Sequence, residues 1–249
     1  MLYVIATPIG NPADLSPRAV AALQAVSLIL CEDTRTSFPL LREYGINAPL
    51  RSYHKFNEQA AVGGVIAQLQ SGGDVALITD AGTPCVSDPG YLLVKACAEN
   101  GIAVTPIPGA SALIAALSIS GFNIVSFTFR GFLPRTEGKL RRVISDTLSE
   151  PSPVTVFYEA PHRILETVRV CAEEIPGSRL CLCNDLTKAH ERIYRGTTAE
   201  VLEELSSNPN FAKGEYVMVL ARDSVKPITE PSDDDTRPVS SYKKKRRRE

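Results

Sequence analysis

At 249 residues, 44% hydrophobic and 22% charged, the chain has the make-up of an ordinary globular protein of one large or two modest domains. A net charge of -1 excludes a globally basic nucleic-acid binder, although Lys and Arg gather at 135–142 and 243–248, where a basic face can sit inside a neutral total. The six cysteines lack C-x-x-C spacing, the start has no basic leader, and the longest apolar run, 110–119, falls short of the roughly 20 residues that span a bilayer. A cytoplasmic protein with reduced, buried thiols and no membrane segment is the expectation.

The first apolar run, "LYVIAT" at 2–7, predicts a buried strand entering the turn "PIGNP". Ser16-Pro17 supplies an N-cap and first-turn proline, and Val20, Leu23 and Val26 recur at helical spacing. "SLILCED" predicts the next strand. A loop with Tyr53 and His54 leads to a helix near 58–71 stopped by Gly72-Gly73, followed by the strand "VALIT" at 75–79. "GYLLVKACAENG" predicts a helix, "IAVTPIPG" a strand and "ASALIAALSISG" a helix of small residues. This alternation predicts an α/β layer with a largely parallel sheet over 1–120.

Beyond it, strands are expected at 125–132, 153–160, "RLCLCNDL" and 215–223, with helices at about 137–149, "RILETVRVCAEEIPG" and "TAEVLEELSSNP". The fold class is therefore α/β, as two tandem α/β domains, 1–120 and 121–225. Residues 226–249, with "DDD" and a terminal "KKKRRRE", read as a disordered charged tail.

No G-x-G-x-x-G, H-E-x-x-H or G-x-S-x-G is present, and the dispersed histidines give no local metal motif. "GFLPRTEGKL" fails as a P-loop, because six residues separate its glycines and Leu140 stands where Ser or Thr would hold magnesium. What remains is three loops after strands: "TPIGNP", "DAGTPCVSDPG" and "PIPGAS". Ligands of open α/β sheets bind beyond the carboxyl ends of the strands. Gly82 and Gly109 let backbone approach a ligand, and Ser111 opens a helix whose free N–H groups favour an anion. The three together predict a small-molecule pocket built from main chain.

The ordered series "TPIGN", "CEDTRT", "YHKFNE", "LITDAGTPCVSDPG", "PIPGASA", "RGFLP", "YEAPHR", "DLTKAHE" and "KGE" resembles the ribosomal RNA small subunit methyltransferase I family of the tetrapyrrole methylase superfamily, over about 1–223. The resemblance implies an S-adenosylmethionine-dependent 2′-O-methyltransferase acting on a cytidine in the decoding region of 16S ribosomal RNA. It further implies a homodimer whose two α/β domains enclose the cofactor in the cleft between them. Methyl transfer from a sulfonium needs no protein nucleophile, which fits a conspicuous loop that carries none.

By this resemblance Pro8, Asp80, Gly82, Thr83, Pro84 and Val86 line the cofactor pocket, with Ser111 and Ala112 beside the methionine part. Tyr158, Leu186 and Glu215 neighbour the adenosine; for Tyr158 and Leu186 simple core packing is the alternative, and for Asp80 a turn cap. The ribose hydroxyl must lose a proton, and His54, Arg35, Asp33, Glu58 and Lys188 are the candidates to assist. His54 and Arg35 lead, though Asp33 and Arg35 can equally pair with each other at a strand end, and Lys188 can neutralise a phosphate instead.

For RNA, Arg130, Arg135, Lys139, Arg141, Arg142, His162 and Arg163 are placed to meet phosphates, and Phe132, Tyr53 or Phe56 to stack an unpaired base. A solvated helix face is the alternative for 139–142. No metal is expected. Departures from the family pattern are Pro12, Phe56 and Asp185; with Phe56 in place of a second histidine, a paired-histidine mechanism is untenable. A tetrapyrrole-precursor C-methyltransferase and an inert RNA-binding assembly factor on the same fold are the rival readings.

Overall fold

The computed structural model describes residues 1–222; the expected charged tail at 226–249 lies outside them. The first sheet holds β1 (Leu2–Ile5), β2 (Leu28–Cys31), β3 (Leu50–Ser52), β4 (Val75–Leu77) and β5 (Val104–Ile107). Its order is β3-β2-β4-β1-β5 and every pairing is parallel. Around it run α1 (Pro17–Ala25), α2 (Thr34–Glu43), α3 (Glu58–Gln70) and α4 (Tyr91–Glu99). Ser16 caps α1 by accepting the Ala19 amide, with Pro17 in the first turn, as the sequence predicts.

The short, wholly apolar β1, β2 and β4 suit a sheet covered on both faces. Ile5, Ile29 and Ala76 pack on one side with α1 and Leu41 of α2, while Leu2, Leu30 and Leu77 pack on the other with α3 and α4.

After α5 (Ala112–Ile119), the second sheet comprises β6 (Phe127–Phe132), β7 (Val154–Glu159), β8 (Arg179–Asn184), β9 (Arg192–Thr197) and β10 (Tyr216–Ala221). Its order is β6-β7-β10-β8-β9, with only β6 and β7 parallel. The helices α6 (Glu137–Asp146), α7 (Ile164–Glu174) and α8 (Thr198–Ser206) belong to this half. Strand alternation sorts β10 cleanly. Tyr216, Met218 and Leu220 face the core beneath α6, α7 and α8, whereas Val217, Val219 and Ala221 face the other way.

That other face meets Leu113, Ala116 and Leu117 of α5, together with Ile9 from the loop after β1. A division at 120 therefore separates the two sheets in sequence, while α5, on the first side of it, packs on the second sheet. The packing makes that sheet one wall of whatever lies at the end of the first. All six cysteines are free thiols, five of them buried. No described helix is long and apolar enough to cross a membrane.

Candidate active site between the two sheets

Because β4, β1 and β5 are consecutive neighbours in a parallel sheet, the three glycine- and proline-rich loops that follow them emerge side by side. They are tied together directly. Thr7 and Gly82 exchange both backbone hydrogen bonds, at 2.9 and 3.1 Å, the Thr7 hydroxyl donates to the Thr79 carbonyl at 3.0 Å, and the Thr83 hydroxyl donates to the Ala110 carbonyl at 3.0 Å. Gly82 takes φ +84°, and a Cβ on Gly109 would stand 3.1 Å from the Ala6 Cβ, so at both positions the close packing of loops depends on glycine.

Cys85 and Ser87 also hold positive φ, at 69° and 68°, as do Asp185 at 52° and Thr187 at 67° in the loop after β8. Non-glycine residues in this region cost of order 1–3 kcal/mol each and persist where surrounding structure fixes them. Here both strained loops border the same hollow.

That hollow is a cavity of about 390 Å³, within the range of pre-formed small-molecule sites. The first sheet's loops contribute Ile9, Asp80, Gly82, Thr83 and Val86, and the start of α5 contributes Ser111 and Ala112. The second half closes it with Tyr158, Glu159, Leu186, Glu215 and Val217. The two halves are stitched at its edge, where the Asn11 amide donates to the Thr187 hydroxyl at 3.1 Å. Gly10 lies so near that a Cβ would fall 2.5 Å from Lys188 Cγ and 2.9 Å from the Leu186 carbonyl oxygen.

Nine of the eleven residues expected at a cofactor line this cavity. Pro8 and Pro84 do not; both are buried in the loops behind it.

A second, shallower hollow of about 530 Å³ adjoins the first, lined by Asp33, Arg35, Ser52, His54, Lys55 and Phe56, with Glu32 and Asp80 common to both. Three carboxylates concentrate near the junction. Burial pushes Asp88 up to about 6, reinforced by Glu32 and Asp80 and opposed by Lys55. Burial likewise raises Asp80 and Glu32, although Asp80 Oδ1 accepts the Asp33 amide at 3.1 Å.

Of the residues expected to assist proton removal, Asp33 and Arg35 form a close pair, 2.6 Å between Oδ2 and Nη2, and Asp33 also caps α2 through the Arg35 amide. Arg35 hydrogen bonding holds the Asp33 carboxyl at about 2, so it is a poor proton acceptor. His54 lines the outer hollow, but its Nδ1 is buried without a hydrogen-bond partner, leaving the imidazole without the second-side acceptor that orients a catalytic histidine. Glu58 accepts the Gly90 amide at 3.3 Å and braces the loop before α4. Lys188 binds Glu215 at 2.7 Å and Asp185 at 3.1 Å, which fixes a cavity-lining carboxylate from behind.

The basic residues divide in the same way. Arg135, Lys139, Arg142 and His162 are exposed. Arg130 pairs with Glu150, while Arg141 binds Glu137, Glu173 and Glu174 and works as a brace between α6 and α7. Arg163 donates to the carbonyls of Leu133 and Pro134 and pairs with buried Glu159 at 3.2 Å, so its guanidinium clamps the loop after β6. Tyr53 is fully buried and is unable to stack a base. Phe56 is 90% exposed on the outer rim, and Phe132 lines the inner cavity edge-on to Tyr158.

Sequence reasoning missed Ile9, Glu32, Asp88 and Glu159. Glu32 was within reach of it: the residue stands beside Asp33 at the carboxyl end of a predicted strand.

The residues match this environment to a cationic, amino-acid-bearing nucleoside. Apolar walls flank it, Ser111 makes no side-chain cap bond and leaves its hydroxyl and the first amides of α5 available to a carboxylate, and the acidic side chains favour a positive centre.

Comparison with known proteins agrees. Residues 1–202 match the family described as Tetrapyrrole (Corrin/Porphyrin) Methylases. The chain is 44% identical over 220 residues to ribosomal RNA small subunit methyltransferase I of Xylella fastidiosa, covering 88% of this chain and 80% of that one. To its counterpart from Escherichia coli O157:H7 it is 42% identical, with 88% and 77% covered. Among solved structures, a diphthine synthase superposes with a TM-score of 0.70 at 16% identity, covering 90% of each chain. Uroporphyrin-III C-methyl transferase from Thermus thermophilus, solved with S-adenyl homocysteine, gives 0.58 at 16% identity over 88% and 96%. The chain belongs to the tetrapyrrole methylases and, within them, to the ribosomal RNA small subunit methyltransferase I family.

Proposed function

We propose that the protein transfers the methyl group of S-adenosylmethionine to the ribose 2′-hydroxyl of a cytidine in the decoding region of 16S ribosomal RNA. Methylation of small-subunit ribosomal RNA is the activity that its family names. One observation carries the reading to this chain: a cavity of about 390 Å³, walled by both sheets, opens into a second hollow through shared residues, so that donor and acceptor can meet from opposite sides.

The cofactor supplies a methyl carbon already activated by a sulfonium, and the protein's work is placement. Ser111 and the α5 amides hold the amino-acid carboxylate; Ala112, Ile9 and Val86 shape the space around the methionine chain. Asp80 and Glu215 accept hydroxyl or amine protons from opposite walls, with Glu215 steadied by Lys188. Tyr158 and Leu186 cover the adenosine and exclude water.

The nucleotide enters from the outer hollow, where Phe56 offers a stacking face and Lys55 and His54 meet the sugar-phosphate edge. Arg135, Lys139, Arg142 and His162 extend a sequence-independent phosphate contact from the second half. The protein acts in the cytoplasm as a homodimer; exposed Ile114, Ile119, Val125 and Phe127, on α5 and the segment entering β6, offer apolar surface for a second copy.

A tetrapyrrole precursor is a polycarboxylate and would need a cationic floor. The outer hollow instead sets Glu32, Asp33 and Asp80 against Lys55 and His54, with Arg35 already paired to Asp33, so it carries no cationic excess for a polycarboxylate. Incubation with labelled S-adenosylmethionine and unmodified 30S subunits, followed by mapping of 2′-O-methyl positions, tests the proposal. Label on a base, or none on ribosomal RNA, refutes it.

A further inference from the structure

A base that deprotonates the acceptor must stand where the two hollows meet, and only Glu32 and Asp80 line both. Asp80 is engaged, because its Oδ1 accepts the Asp33 amide. Among the described residues nothing hydrogen-bonds the Glu32 carboxylate; its neighbours act on it through charge alone. Glu32 follows β2 directly, so its backbone is fixed by the sheet, next to β4 and the loop that carries Asp80. It is half-buried, which keeps the carboxylate partly stripped of water without isolating it from an incoming sugar.

Resting on the proposed 2′-O-methylation, we propose that Glu32 is the catalytic base of this enzyme. Its carboxylate takes the proton from the ribose 2′-hydroxyl as that oxygen bonds to the methyl carbon. The carbon–sulfur bond breaks, its electron pair stays on sulfur to leave a neutral thioether, and the proton leaves Glu32 for solvent after the methylated nucleotide departs. No oxidant, metal or second reactant is required for the balance.

The surroundings tune the group for this task. Burial raises the affinity of Glu32 for a proton, and Asp80 adds to it, while Lys55 and His54 act in the opposite sense. Asp88 faces it from the same loop as Asp80, and the Asp33–Arg35 pair flanks it at the start of α2. A carboxylate whose proton affinity is raised is a stronger base than an ordinary one. The neighbouring carboxylate of the outer hollow lacks this affinity, because Arg35 holds Asp33 at about 2.

Glu32→Gln, close in shape, tests the assignment. In calorimetry the variant should bind S-adenosylmethionine within about threefold of the parent, while single-turnover methylation of 30S subunits at saturating cofactor falls by about 10²- to 10⁴-fold. The acidic limb of the pH–rate profile should vanish with it, and His54→Gln should retain that limb. Carbon-detected titration of the ligand-free parent, with the Glu32 signal identified by its loss in the variant, should place this carboxyl above the ordinary range. Glu32→Asp, which shortens the reach, should fall between parent and Gln.

Turnover in Glu32→Gln within threefold of the parent overturns the inference, as does an unchanged acidic limb or an ordinary carboxyl titration. Collapse of cofactor affinity in Glu32→Gln also overturns it, since the residue would then serve binding. If the parent itself places no methyl on a ribose, the proposed function fails and this inference falls with it. Ribose methylation by parent and variant alike removes only Glu32.

Discussion

Asp88 gives the site its most testable electrostatic feature. Its carboxyl is carried from an ordinary 3.8 to about 6, first by burial and then by repulsion from Glu32 and Asp80, with Lys55 in opposition; Cys85 and Tyr158 are the other titratable groups that face it. Between those two pH values the folded chain keeps a proton that the unfolded chain has released. Stability therefore falls as pH rises through the window from about 4 to about 6, and the deficit is complete above it. At about 1.4 kcal/mol per tenfold the displacement corresponds to about 3 kcal/mol, and solvent screening of a half-buried group reduces it to about 1–2 kcal/mol. Asp88→Asn mimics the protonated acid. It should stabilise the ligand-free protein by about 1–2 kcal/mol at pH 7.5, measured by urea unfolding, with the gain shrinking toward zero near pH 4. A variant that is neutral or destabilised at pH 7.5, or equally stabilised at pH 4, refutes the reasoning.

Two further substitutions probe the frame. Thr83→Arg places a long side chain in the cavity and removes the bond to the Ala110 carbonyl, worth about 1 kcal/mol; the protein should still fold cooperatively by circular dichroism while S-adenosylmethionine affinity drops more than about 100-fold in calorimetry. Parent-like affinity in that variant removes the cofactor from this cavity. Arg163→Ala leaves the buried Glu159 carboxylate with no cationic partner, although Thr167 still donates to it at 2.8 Å. Unfolding should show a loss of about 3–5 kcal/mol, partly restored by adding Glu159→Gln. Failure of that second change to restore stability would locate the loss in the freed 133–134 carbonyls instead.

The legible parts of this molecule are those written in short-range pattern. β1, β4 and β5 announce themselves as apolar runs ending in glycine and proline, and their loops do line the cavity of about 390 Å³. Three elements escaped: α2, β3 and β9. α2 contains Pro39 and opens with threonines, so its propensity is poor, and Asp33 is the capping signal that reveals it. β3 is three residues at a sheet edge, and β9, "RIYRGT", places two arginines and a glycine on an edge strand, where tertiary pairing to β8 outweighs local preference. The guanidinium roles were equally hidden. Arg141 and Arg163 both read from sequence as phosphate contacts, yet one meets three carboxylates and the other two carbonyls and a buried acid, partners up to 33 residues away.

The carboxylates at the junction show why such a site resists reading from sequence. Of the three, sequence reasoning singled out only Asp80, and Glu32 and Asp88 read as acids near a turn; their joint effect arises only when parallel β2 and β4 bring the loops that follow them together. Left to itself the arrangement is unfavourable, since three like charges raise one another's proton affinity in a half-buried space. Strained backbone at Cys85 and Ser87 holds Asp88 there nonetheless, within a loop fastened by Thr7, Gly82 and Thr83 to its neighbours. A fold that maintains repulsion at this place gains attraction for a positive charge, and the charge that a methyl donor brings is positive until the moment of transfer. Once the methyl has gone the sulfur is neutral and that part of the attraction is lost, so with the donor placed as proposed the acidic junction favours exchange of product for fresh donor.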